Sequence, residues 1–181
     1  HGSSAHPDNA PYRLYQAVDL ILSEKEPMTL TPITKRMFAQ MAEASDFPSS
    51  FFLKRADHPL LKPLLDKTFQ KERFLKAISH NTRNLTVWEM GRKVNAIPPL
   101  AKAKIDIRLL PGVNPDQYLT LLKELIKELN IEIRIIHKTP SSSSALDHPL
   151  FSVIRGTMER LAPEAMVIPL MSPGGTDSAT F

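Results

Sequence analysis

Between Ala101 and Ile136 the hydrophobic period changes twice, and this run constrains the fold more than any other part of the chain. Ala101, Ala103, Ile105, Ile107 and Leu109 alternate with Lys102, Lys104, Asp106 and Arg108. That is the period-two pattern of a strand with one face buried and one in water. Pro111-Gly112 closes it. Asn114-Pro115 then caps a helix expected over Asp116–Leu129, whose Leu119, Leu122, Ile126 and Leu129 form an apolar stripe. Ile131–Ile136 alternates again and is predicted as a second strand.

Upstream, Leu85–Met90 is β-prone and ends at Gly91, a turn signal. Asp8-Asn9-Ala10-Pro11 reads as a helix start, followed by Leu14, Val18, Ile21 and Leu22 at helical spacing and ended by Pro27. Residues from about 31 to 79 are broken by Pro32, Pro48, Pro59 and Pro63 and read as short helices, such as Thr34–Glu43 and Pro59–Asp66, with no chemical motif. The order is helix, insertion, strand, strand, helix, strand. One strand before His1 completes β-α-β-β-α-β, the ferredoxin-like sandwich. After Pro140 come four serines, Ser141 to Ser144, read as a linker. A helix from His148 to Leu161, a short strand at Met166–Leu170 and the loop Ser172-Pro173-Gly174-Gly175-Thr176-Asp177 follow, an arrangement of α/β domains. The expected fold class is therefore α+β. Residues 1–140 form a ferredoxin-like domain with a helical insertion, and 141–181 form a partial α/β segment.

Composition excludes several functions. The net charge is +4, but acids and bases are interleaved rather than gathered on one face, so no nucleic-acid partner is expected. Lys54-Arg55 and Lys71-Glu72-Arg73 read as solvated helix faces. With no cysteine there is no disulfide, thiolate metal site or Cys nucleophile. No apolar run reaches about 18 residues, so no membrane span is expected. Together these point to a cytoplasmic setting.

Few residues suggest chemistry one at a time. His1 and His6 flank a Gly-Ser-Ser turn, but their spacing is no ligand pattern, and two loop histidines suffice as an account. Asp106 and Arg108 share the polar face of a strand, and an exposed surface pair explains them equally. Gly174-Gly175 reads either as a plain turn or as a cradle of backbone N–H groups for an anion. The serine run lacks the strained strand-to-helix context of a nucleophile.

Taken in order, the pieces say more. His1-Gly2-Ser3-Ser4, Asn95-Ala96-Ile97-Pro98, Asp106-Ile107-Arg108-Leu109-Leu110-Pro111-Gly112 and Gly174-Gly175-Thr176-Asp177 follow one another along the chain. This series resembles the dinuclear zinc metallopeptidase family of aminoacylase, carboxypeptidase S, acetylornithine deacetylase and succinyl-diaminopimelate desuccinylase. The insertion resembles the carboxypeptidase S branch. The resemblance implies that residues 1–140 are the lid and dimerisation domain, and that 141–181 begin a return to the zinc-peptidase catalytic domain. It implies a homodimer, hydrolysing peptides or N-acyl amino acids with two zinc ions.

It also implies roles. His1 matches the lid histidine that stabilises the tetrahedral oxyanion, a task for a donor aimed at developing charge. Asn95 and Arg108 match residues that contact substrate across the dimer, the Arg fork suiting a carboxylate. Gly174, Gly175 and Thr176 match a loop lining the substrate site. The family's metal ligands include a His-x-Asp motif and a Glu-Glu pair; no Glu-Glu pair occurs here, and the triplet His6-Pro7-Asp8 stands in the loop that follows His1. No metal ligand is therefore assigned, and the chain is expected to be an internal piece, inactive alone. The competing expectation is a ferredoxin-like binding or regulatory module without an enzymatic parent.

Overall fold

The computed structural model describes residues 2–4, 6–139 and 143–175. The chain divides into two units: residues 1–26 with 81–140, and residues 27–80 with 141–181.

The first unit is built on a β-hairpin. β1 (Thr82–Glu89) pairs antiparallel with β2 (Lys102–Arg108), with Thr82 opposite Arg108 and Asn84 opposite Asp106. The register slips between Leu85 and Val87. Thr86, left over by the slip, donates its hydroxyl to the Lys104 carbonyl at 3.1 Å. Helix α1 (Ala10–Ser23) starts where Asn9 accepts from the Tyr12 amide at 3.0 Å. Its Ala17 and Ile21 pack with Tyr118, Leu122 and Ile126 over Ile105 and Ile107 of β2. Each large aliphatic side chain buried here contributes about 1.5–3 kcal/mol.

The α+β class is as expected, but the sheet of the described residues has two strands, not the four of a complete sandwich. Ile131–Ile136 forms no strand. Ile131 and Ile133 still pack against the α1 cluster, while Ile135 and Ile136 face solvent. Alternation decides which side chains face a core, but a strand also needs a neighbour to bond. In a β-α-β-β-α-β sandwich the last strand lies beside the first, and no described strand precedes α1. The helix before this segment is also shorter than expected. α6 (Pro115–Leu125) begins where Asn114 accepts from the Asp116 and Gln117 amides at 2.9 and 3.2 Å. It then tightens into a 3₁₀ turn at Lys127–Leu129, ended by Asn130 in the left-handed region at φ 50°.

A polar network ties this unit together where the chain leaves it and returns. Glu26 accepts from the Tyr118 hydroxyl and from Asn81 Nδ2, the latter at 3.0 Å. Arg83 Nη2 lies 3.4 Å from the same carboxylate and donates to the Glu24 carbonyl. Asn81 Oδ1 accepts from the Leu110 amide at 2.9 Å. Burial, and next the hydrogen bond to Glu26, raise the Tyr118 phenol well above its usual value. An unfolded tyrosine ionises near pH 10, where the folded chain still holds this proton. The stabilisation is therefore whole below about pH 10 and is lost as the pH rises beyond it. Tyr118→Phe is expected to flatten the fall in stability above about pH 10, as followed by urea unfolding. An unchanged alkaline slope would refute this.

The second unit holds α2 (Pro32–Glu43), α3 (Ser49–Lys54), α4 (Lys62–Phe69), α5 (Arg73–Ser79) and α7 (Pro149–Leu161). Thr31 caps α2, accepting from the Thr34 amide at 3.3 Å. Met28, Leu30, Met37, Phe38, Ala56, Phe69 and Ile78 form the core, with Ile168 and Met171 against it. His80 is buried, its Nε2 2.7 Å from Asp66 Oδ1 and its Nδ1 2.9 Å from Ser79 Oγ. The expected strand at Met166–Leu170 does not form, for it too has no partner among the described residues. No helix of the described residues is long and apolar enough to cross a membrane.

Candidate substrate-contacting site

The connection between β1 and β2 carries Asn95, exposed. Its carbonyl accepts from the Gly2 amide at 2.8 Å, so the first turn of the chain is fastened to the hairpin tip. A Cβ on Gly2 would stand 3.3 Å from that oxygen, a close approach that favours glycine. Beside this contact is a shallow cavity of about 300 Å³, lined by His6, Asp8, Asn9, Ala10, Ile97, Pro98 and Pro99. The side chain of Asp8 is gripped at both oxygens by Arg13, whose hydrogen bond holds the Asp8 carboxyl below its usual range. His6 thus lines a cavity, which its sequence context as a loop histidine did not suggest. The lining role of Ile97–Pro99 was equally hidden, because facing another segment leaves no periodic signal.

Arg108 lies at the other end of the hairpin, and its Nε donates to Asp106 Oδ2 at 2.8 Å. β2 from Lys102 to Arg108 spans about 20 Å at the rise of an extended chain. The structure therefore puts Asn95 beyond the tip and Arg108 at the base; it does not bring them together within one copy.

Gly174 and Gly175 belong to the second unit and are exposed, with open space where a Cβ would stand. The Gly174 amide donates to Ser172 Oγ at 3.3 Å, and that hydroxyl lies 3.2 Å from the Gly174 carbonyl. The Gly174 N–H is thus occupied locally. His1 and Thr176 lie outside the described residues. Among the described residues no three His, Cys, Asp or Glu side chains come together as a metal site, so zinc finds no ligand set there.

The sequence profile of the peptidase dimerisation domain matches residues 1–134. The chain is 29% identical over 149 residues to human N-fatty-acyl-amino acid synthase/hydrolase PM20D1, covering 78% of this chain and 29% of that protein. The Xenopus tropicalis protein of the same name is 28% identical over 147 residues, covering 80% and 28%. A probable carboxypeptidase S-like 2 of Dictyostelium discoideum is 25% identical over 185 residues, covering 100% and 35%. The chain spans about a third of the length of these relatives. No solved structure matches it.

Proposed function

The chain belongs to the peptidase dimerisation-domain family of the M20 metallopeptidases, and from that premise we propose that it is the dimer-forming, substrate-gripping part of a zinc-dependent amidohydrolase. The substrates are peptides or N-acyl amino acids, in line with the names of its relatives. One observation carries most weight: Arg108 stands exposed on a paired strand, and among the described residues the end of its guanidinium has no partner. Such a fork accepts a carboxylate at two points. Asn95, on a tip fastened to Gly2, contacts the substrate amide, and His1 donates to the oxyanion. The glycines at 174 and 175 leave room for a ligand against the backbone. In a twofold dimer the tip of one copy and the base of the other can meet at one substrate, which reconciles the separation of Asn95 and Arg108 with a shared task. Zinc, when bound by residues outside this chain, supplies the activated water. The chain alone is inactive, and detectable amide hydrolysis by it would contradict this reading.

The decisive experiment is Arg108→Ala in the intact enzyme. A charged hydrogen bond lost from the bound carboxylate is expected to raise KM for N-acyl amino acids by about 10- to 100-fold, with kcat little changed. If KM stays at the wild-type value, Arg108 does not hold the substrate.

A further inference from the structure

We propose that Asp106 is a positioning residue that aims Arg108 at the substrate carboxylate. The inference rests on the reading of Arg108 given above. Its basis is the way this ion pair differs from two other exposed arginine–carboxylate pairs, those of Arg13 and Arg134. Arg13 spends two nitrogens, Nε and Nη2, on both oxygens of Asp8. Arg134 does the same with Glu132, Nε at 2.7 Å and Nη2 at 3.2 Å. Arg108 gives Asp106 only its Nε–H, at 2.8 Å. Among the described residues its two terminal nitrogens have no hydrogen-bond partner. A guanidinium held by one edge keeps its terminal N–H groups for another acceptor, and it is fixed in direction before that acceptor arrives.

The strand makes this arrangement stiff. Asp106 and Arg108 are two residues apart on β2, so the pleat sets both on one face. Opposite them on β1 stand Asn84 and Thr82, which bring no carboxylate to compete for the guanidinium. Lys104, the next residue on that face, forms no ion pair with Asp106 in the structure. The side chains of Arg108 and Asp106 are 56% and 44% exposed. A pair so wet adds little to stability, so its loss leaves the fold standing. What it removes is the rotamer freedom of a long side chain, a cost otherwise met when substrate binds.

The test uses the intact enzyme with an N-acyl amino acid and with its C-terminal carboxamide, which lacks the charge that Arg108 reads. Asp106→Leu is expected to raise KM for the acid about three- to ten-fold, to leave kcat unchanged and to leave the carboxamide unaffected. Asp106→Asn retains an acceptor oxygen and is expected to fall between Leu and wild type. In an Arg108→Ala background, Asp106→Leu is expected to change nothing further, because its effect runs through the arginine. Thermal midpoints of all variants should match wild type. Equal losses on both substrates, or an effect of Asp106→Leu that persists without Arg108, would overturn the proposal. If Arg108→Ala leaves KM unchanged, the reading of Arg108 itself fails. If Arg108→Ala raises KM and Asp106→Leu does not, only the positioning role fails.

Discussion

Replacing Glu26 with alanine is expected to destabilise the hairpin unit by about 3 kcal/mol, one of the two largest effects of any single change here. Three groups converge on that carboxylate: the Tyr118 hydroxyl, Asn81 Nδ2 and the Arg83 guanidinium. The Arg83 side chain is only 5% exposed and that of Glu26 is 15% exposed. Removing the carboxylate strands a nearly buried cation, the costly case for an ion pair, at about 3–5 kcal/mol. Residual solvent at Glu26 and the Glu24 carbonyl, which Arg83 keeps, bring the figure to the lower end. Glu26→Gln keeps the shape and one acceptor oxygen and should cost less. Urea unfolding is expected to show the Ala midpoint lowered by roughly 1–2 M. Amide protection should fall first at α1 and β1, whose ends the network joins. A Glu26→Ala midpoint within experimental error of wild type would show that the network carries no net stability.

This network also shows where sequence reading stops. Helix α1 was legible because capping and spacing are local: Asn9, Pro11 and the Leu14–Ile21 stripe all act within a few turns. β2 was legible because one face of it is wet and the other dry, and alternation records that, while β1 was marked by its β-prone residues and the turn at Gly91. Glu26, the stretch from Asn81 to Arg83, and Tyr118 are far apart in sequence and have no shared period, so nothing marks them before the chain folds. The same holds for His80, which Asp66 reaches only once α4 and α5 pack. Ile131–Ile136 shows the opposite limit. Ile131 and Ile133 of this alternating run pack against the core, yet pattern cannot supply a partner for hydrogen bonding and no strand forms. At the site, motif order singled out Asn95 and Arg108, but only coordinates put a strand's length between them and gave Arg108 a single-edge bond to Asp106.

The other large effect is expected at Phe38. Phe38→Ala should cost about 3–5 kcal/mol in the second unit. Phe38 is 1% exposed and its ring lies 5.5 Å from that of Phe69, tilted by 55°. Met28, Met37, Leu30 and Ile78 close the rest of the shell. Truncation loses the transfer energy of the ring and leaves a cavity. The two methionines are flexible enough to fill part of it, which favours the lower half of the range. Phe74→Ala is the control: the same residue type in the same unit, but 46% exposed, and expected to cost well under 1 kcal/mol. Chemical denaturation of the two variants, with amide exchange on α2 and α5 as the local readout, checks the pair. Equal, small losses would mean that residues 27–80 are a loose appendage without a working core. The expected split means instead that they hold a working core. Such a core tolerates changes on the exposed helix faces around it.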